Sequence, residues 1–166
     1  MTMQDINALP RTDFVRVVGP VFEHSPWIAE RTPGPFHDVA DLHARLVATV
    51  EAATDDEKLS LIRAHPDLVG RLAREGKLTK ESNDEQAAAG LAMLTGDETT
   101  LFETYNAAYR EKFGFPFVIC ARENKKDAIL AAFPPRLASD APKETATALQ
   151  EIYKIARLRL NDLIES

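Results

Sequence analysis

Apolar residues recur at spacings of three and four along nearly the whole chain, and the breaks between these runs fall at prolines and helix-capping patterns. That rhythm suits packed helices, and no segment argues convincingly for a sheet. The expected fold is all-α: a single-domain bundle of about seven to nine helices spanning residues 1–166. The ten prolines punctuate the chain rather than cluster. No internal repeat, low-complexity tract or Gly/Ser linker divides it.

Thr12 and Asp13 are suited to cap a first helix carrying Phe14, Val17, Val18, Val21 and Phe22. Pro26, Pro33 and Pro35 make residues 24–37 an irregular turn region with Trp27 as its apolar anchor. Asp38 opens a helix with Leu42, Leu46, Val47 and Val50 on one face. Thr54 followed by Glu57 spells a capping box for the next helix, which Pro66 ends by disfavouring helical geometry at His65. A short helix through Leu68 and Leu72 is expected next, broken near Gly76. Ser82 followed by Glu85 spells a second capping box leading into Ala87 to Leu94. Asp97 starts a helix through Leu101, Phe102, Tyr105 and Tyr109 that ends at Gly114. Phe115 to Ile119 is the one stretch suited to an extended backbone. Helices over residues 124–133 and 141–164 complete the plan.

Composition narrows the function classes. Hydrophobic residues make up 45% and charged residues 28%, the balance of an ordinary globular protein. A formal charge of −6 and no basic stripe argue against nucleic acid as a partner. The longest apolar stretch, Phe115 to Ala121, is far short of the roughly 20 residues that cross a bilayer, so no membrane association is expected. The N-terminal residues include Asp5 and no apolar run, unlike a secretory signal. One cysteine, Cys120, cannot form an internal disulfide, which fits a reducing compartment, and the cytoplasm is the expected location.

Four groups of residues are candidates for chemistry. The stretch IRAHPDL fixes His65 against Pro66. With Pro66 at the first position of a following helix, His65 would sit beside a helix N-terminus, whose partial positive charge favours a neutral, proton-exchanging imidazole. The bland alternative is a cap or a packed surface side chain. In SNDEQ, Ser82, Glu85 and Gln86 either cap a helix or gather polar groups around an oxygen-rich ligand. On the last helix Arg159 falls in the arc of Leu149, Ile152, Ala156, Leu160 and Leu163, whereas Arg157 points toward solvent. A guanidinium there is costly unless it is paired, snorkels to the edge or binds an anion such as a substrate carboxylate. In EKFGFPFVIC, Gly114 and Pro116 make the backbone irregular, leaving peptide groups that need partners. No HExxH, paired cysteines or Gly-rich phosphate loop is present, and His24, His37 and His43 lack a matching ligand spacing, so no metal is expected.

Taken together and in order, FEHSPWIAE, LIRAHPDLVG, SNDEQAAAGL, YREKFGFPFVICAR and EIYKIARLRLNDL resemble the decarboxylases of 2-oxo-4-hydroxy-4-carboxy-5-ureidoimidazoline (OHCU). The likeness runs from about residue 5 to residue 164. It implies an all-helical carboxy-lyase without cofactor or metal, commonly a homodimer. Such an enzyme takes the last step of urate degradation, to S-allantoin. Carried over by position, it implies that His65 and Glu85 are catalytic. It further implies that Pro66, Ser82, Glu85, Gln86, Phe117, Ile119, Ala121 and Arg159 contact substrate, with the segment from Phe117 to Ala121 doing so through its backbone. The rival readings are a non-enzymatic helical binding module and a related lyase acting on another ureido acid.

Overall fold

The computed structural model describes residues 1–70 and 75–165. Among the described residues there are nine α-helices and two 3-10 turns, and no strand. None of these helices is long and apolar enough to cross a membrane. The chain forms two compact units, Met1–Ala64 with the residues from Tyr153 onward, and His65–Ile152.

The first unit holds α1 (Met3–Ala8), α2 (Arg11–Val18), a 3-10 turn (Gly19–Val21), α3 (Trp27–Glu30), α4 (Val39–Glu51) and α5 (Asp55–Arg63). It is completed by the last residues of α9 (Ala141–Leu163). Two expected starts hold. Asp38 caps α4 by accepting the Asp41 N–H at 2.8 Å, and Thr54 with Glu57 forms the capping box of α5. Leu42, Leu46, Val50, Leu61 and Ile62 are fully buried along these two helices. The N-terminus departs from expectation. Thr2 and Asp5 cap the separate α1, α2 begins after Pro10, and Thr12 and Asp13 lie inside α2 rather than at its cap. Pro20 has no N–H to continue that helix, so the chain tightens into the 3-10 turn. Residues 24–37 are not wholly irregular, because they contain the one-turn α3. Its buried anchor is Ile28, not Trp27. The indole is half-buried, with the Arg31 guanidinium 4.7 Å above its ring.

The second unit holds α6 (Lys80–Ala88), α7 (Gly96–Phe113), an unbent stretch over residues 116–120, a 3-10 turn (Ala121–Glu123), α8 (Lys126–Leu137) and the first half of α9. Its core is aromatic. Phe117 stacks on Phe133 at 3.9 Å between centroids, and Tyr109 meets Phe117 edge-on at 5.4 Å. Gly114 ends α7 at φ 77°, a left-handed conformation that glycine adopts without steric penalty. Helix α8 runs past the expected end at residue 133. Pro134 and Pro135 sit in its last turn, where the two missing N–H groups disturb only the helix end. The expected helix through Leu68 and Leu72 does not include Leu68, since residues 66–70 are non-helical with a turn at Leu68 and Val69, and Leu72 lies outside the described residues.

Candidate active site

The second capping box is not a cap. Helix α6 begins three residues before the expected start, with Thr79 Oγ1 accepting the Ser82 N–H at 3.2 Å. Starting there places Ser82 and Gln86 one helical turn apart on a buried face, with Glu85 half-buried beside them. A start at Ser82 would have left that residue outside the helical register. The helix also stops early, at Ala88 rather than Leu94. Gly90 (φ 85°) donates to Ala87 and Leu91 donates to Gln86 across a closing turn of the Schellman type.

His65 follows the end of α5 and is 6% exposed. The residues after it form a turn, so the expected place beside a helix N-terminus is not what holds this imidazole. The turn itself is held from several sides. The Gln86 Oε1 accepts the Val69 N–H at 3.2 Å, and its Nε2 reaches the Asp67 carbonyl at 3.5 Å. Asn106 Nδ2 donates to the Leu68 carbonyl at 2.7 Å, and Arg110 Nε lies 3.0 Å from both Asp67 carboxylate oxygens. Val69 sits at φ 56°, a strained conformation for a β-branched residue that costs about 1–3 kcal/mol and persists only where its surroundings impose it. At Gly70 an added Cβ would fall 2.7 Å from the Asp67 Cβ, so the return is tight enough to require glycine. His65 and Pro66 thus precede a turn fixed by α6 and α7.

The same unit brings in the segment from Phe115 to Ala121, buried throughout. From Pro116 to Cys120 it neither turns nor bends, as its composition predicts. Helix α6 packs against the 3-10 turn that follows, and the Lys126 N–H donates to the Ala89 carbonyl at 3.2 Å. The structure therefore gathers three of the four sequence candidates in one unit: the His65–Pro66 turn, Ser82–Glu85–Gln86, and Phe117 to Ala121. A cavity of about 300 Å³ lies against Gln86 and Val69, lined also by Leu78, Asn83, Ala87 and Leu91. Burial raises the pKa of the Cys120 thiol, which makes it a poor nucleophile. No group of three or more His, Cys, Asp or Glu among the described residues is arranged to hold a metal ion.

Arg159 belongs to the other unit. It is 6% exposed, as its place in the apolar arc requires, and its Nη1 donates to Glu23 Oε1 at 3.0 Å and to the Pro20 carbonyl at 3.2 Å. The expected internal ion pair is present, and Glu23, itself 2% exposed, is its acceptor. Losing one member of such a buried pair costs roughly 3–5 kcal/mol, because the other charge stays behind. Glu23 was legible only as part of the FEHSPWIAE stretch. Asn106 gave no sequence signal beyond a polar position on an amphipathic helix. Its Oδ1 is buried and lacks a hydrogen-bond partner among the described residues.

A buried histidine beside a turn braced by two helices has the makings of an acid/base group. The family model of OHCU decarboxylase matches residues 7–161, and the chain belongs to that family. It is 40% identical to the 2-oxo-4-hydroxy-4-carboxy-5-ureidoimidazoline decarboxylase of Haloferax volcanii over 100% of this chain and 98% of that one. To the protein of the same name from Halalkalicoccus jeotgali it is 40% identical, over 98% of this chain and 92% of the other. A solved structure of (S)-allantoin synthase superposes with a TM-score of 0.81 at 29% identity. That match covers 100% of this chain but only 55% of the longer chain.

Proposed function

We propose that this chain decarboxylates OHCU to S-allantoin, the last step of urate degradation, with His65 as the acid/base. The observation that supports the reading is that the His65 turn, the Ser82–Glu85–Gln86 face and the buried backbone from Phe117 to Ala121 belong to one compact unit. It is supported by a family match over nearly the whole length, and we take residues 1–166 as one catalytic domain.

Breaking the bond to the carboxylate releases carbon dioxide and leaves its electron pair on the ring carbon. The conjugated ring and its carbonyl spread that charge, so the proposed chemistry runs on protein groups alone. His65 exchanges the proton at the reacting centre, and delivery to a single face sets the hand of the product. Glu85 and Ser82 hydrogen-bond the ring or ureido groups. Gln86 orders the turn behind His65 as well as the ligand, because both ends of its amide already engage that turn. Arg159, held by Glu23, is taken from the family resemblance as a contact to a substrate oxygen. It acts better on a ring carbonyl than on the departing carboxylate, since binding ground state and transition state equally gives no acceleration. The buried walls of Phe117 and Ile119 exclude water and strengthen each of these contacts.

The protein is proposed to work as a cytoplasmic homodimer. The direct test is to generate OHCU in situ with urate oxidase and hydroxyisourate hydrolase and follow circular dichroism. The expected result is S-allantoin forming faster than spontaneous racemic decay; a trace unchanged by the protein would remove the assignment.

A further inference from the structure

We propose that Glu151 and Arg136 are positioning residues that hold one edge of the Pro116–Cys120 backbone, so that the opposite edge, at Phe117 and Ile119, receives the substrate. The proposal rests on the reading of the preceding subsection. Its own evidence is the alternation of partners along the segment. Arg136 Nη1 donates to the Val118 carbonyl at 2.6 Å, and Glu151 Oε1 accepts the Cys120 N–H at 3.2 Å. In a straight extended chain the peptide groups of residues i and i+2 point one way and those of i+1 point the other. Val118 and Cys120 therefore share an edge, and on it the Val118 carbonyl and the Cys120 N–H are taken by the protein. The backbone of Phe117 and Ile119 makes no hydrogen bond among the described residues, although both residues are buried. Buried peptide groups are nearly always paired, so an edge of this kind is built for something that brings its own donors and acceptors. A ureido or cyclic amide group does so, offering N–H and C=O side by side to the N–H and C=O of one residue.

The clamp is itself locked. Arg136 Nε donates to Glu144 Oε1 at 2.7 Å, and Tyr109 donates its hydroxyl to the same oxygen at 2.7 Å. Burial, and then that acceptor, push the Tyr109 pKa well above its ordinary value, so the hydroxyl stays a donor across the working range. The guanidinium also lies 4.1 Å over the Phe117 ring, which ties its plane to the segment it holds. Glu151 is 8% exposed on the same helix as Glu144, so α9 fixes both ends of the clamp.

Steady-state kinetics on in situ OHCU, with far-UV dichroism and melting curves for each variant, test the assignment. Arg136→Lys keeps a cation beside Glu144 but lacks the fork that reaches Val118, and Glu151→Leu removes the acceptor for Cys120. Each is expected to raise KM about tenfold or more, because an ångström of misplacement is felt strongly at a reacting centre. Glu151→Gln keeps a carbonyl acceptor and is expected to stay within about threefold of wild type, in line with the modest net worth of one hydrogen bond. A KM unchanged in a cooperatively melting Arg136→Lys or Glu151→Leu protein would overturn the proposal. So would a Glu151→Gln variant as impaired as Glu151→Leu. If Glu151→Leu does not fold, Arg136→Lys decides alone. A wild type without turnover would instead sink the decarboxylase reading itself, and the positioning roles with it.

Discussion

Thr54–Glu57 and Ser82–Glu85 are spelled alike and used differently. The first pair is a complete capping box: Thr54 Oγ1 accepts the Glu57 N–H at 3.1 Å, and Glu57 returns its carboxylate to the Thr54 N–H at 3.1 Å. At the second, Thr79 has taken the cap three residues upstream. Ser82 becomes a buried helical residue and Glu85 projects from the second turn. The difference shows that a hydroxyl and a carboxylate three residues apart form a box only when no better-placed cap precedes them. Where one does, the same residues fall inside the helix.

The contrast is sharpest in kinetics. Glu85→Gln is expected to lower kcat/KM about a hundredfold, within the range of a lost acid/base or charged contact, while Tm stays within about 2 °C. The dichroism assay for S-allantoin and a thermal melt check both; a variant that melts early but turns over normally would return Glu85 to a structural role. At the true caps the effect is expected to move to stability. Thr54→Ala should cost about 1 kcal/mol, or roughly 2–4 °C in Tm, with kcat unchanged. Thr79→Ala should cost a similar amount, and loss of activity without loss of stability there would break the comparison.

The smallest effect concerns acid. Hydrogen bonds from Arg31 first, and then from the Thr54 backbone, hold the Glu57 carboxyl at a pKa of about 2, below its ordinary 4.5. A depressed folded value means that the unfolded chain binds more protons between pH 4.5 and 2, so the stabilisation is present above that window and lost as pH falls through it. Glu57 is only half-buried and its partner Arg31 is exposed, so solvent screens the pairing and the slope should be shallow. Melting curves of Glu57→Gln between pH 5 and 2.5 should depend less on pH than those of wild type.

Local signals were read well where they had no competitor. Asp38, Thr54 and Gly114 act as their side chains or conformational freedom dictate, and the buried, unbent run over residues 116–120 follows Gly114, which ends α7, and Pro116, which cannot continue a helix. The errors came from competition. Thr79 outranks Ser82, and Thr2 with Asp5 caps a helix ahead of the one expected from Thr12 and Asp13. Pro134 and Pro135 are tolerated because only a helix end is at stake. Of the site, His65, the α6 face and the buried Arg159 were legible as residue types in unusual places. Glu23, Asn106, Arg136 and Glu151 carried no such signal of their own, because a contact across 18 or more residues leaves no periodicity to detect.

The central claim is that the imidazole on the fixed turn carries the reaction. His65→Asn retains a polar side chain of similar reach but no group that titrates near neutrality. Stereo-resolved turnover of freshly generated OHCU by this variant is the most direct measurement. The account predicts a native far-UV spectrum, product formed no faster than spontaneous decay, and racemic allantoin. Retained, S-selective turnover in the folded variant would contradict it.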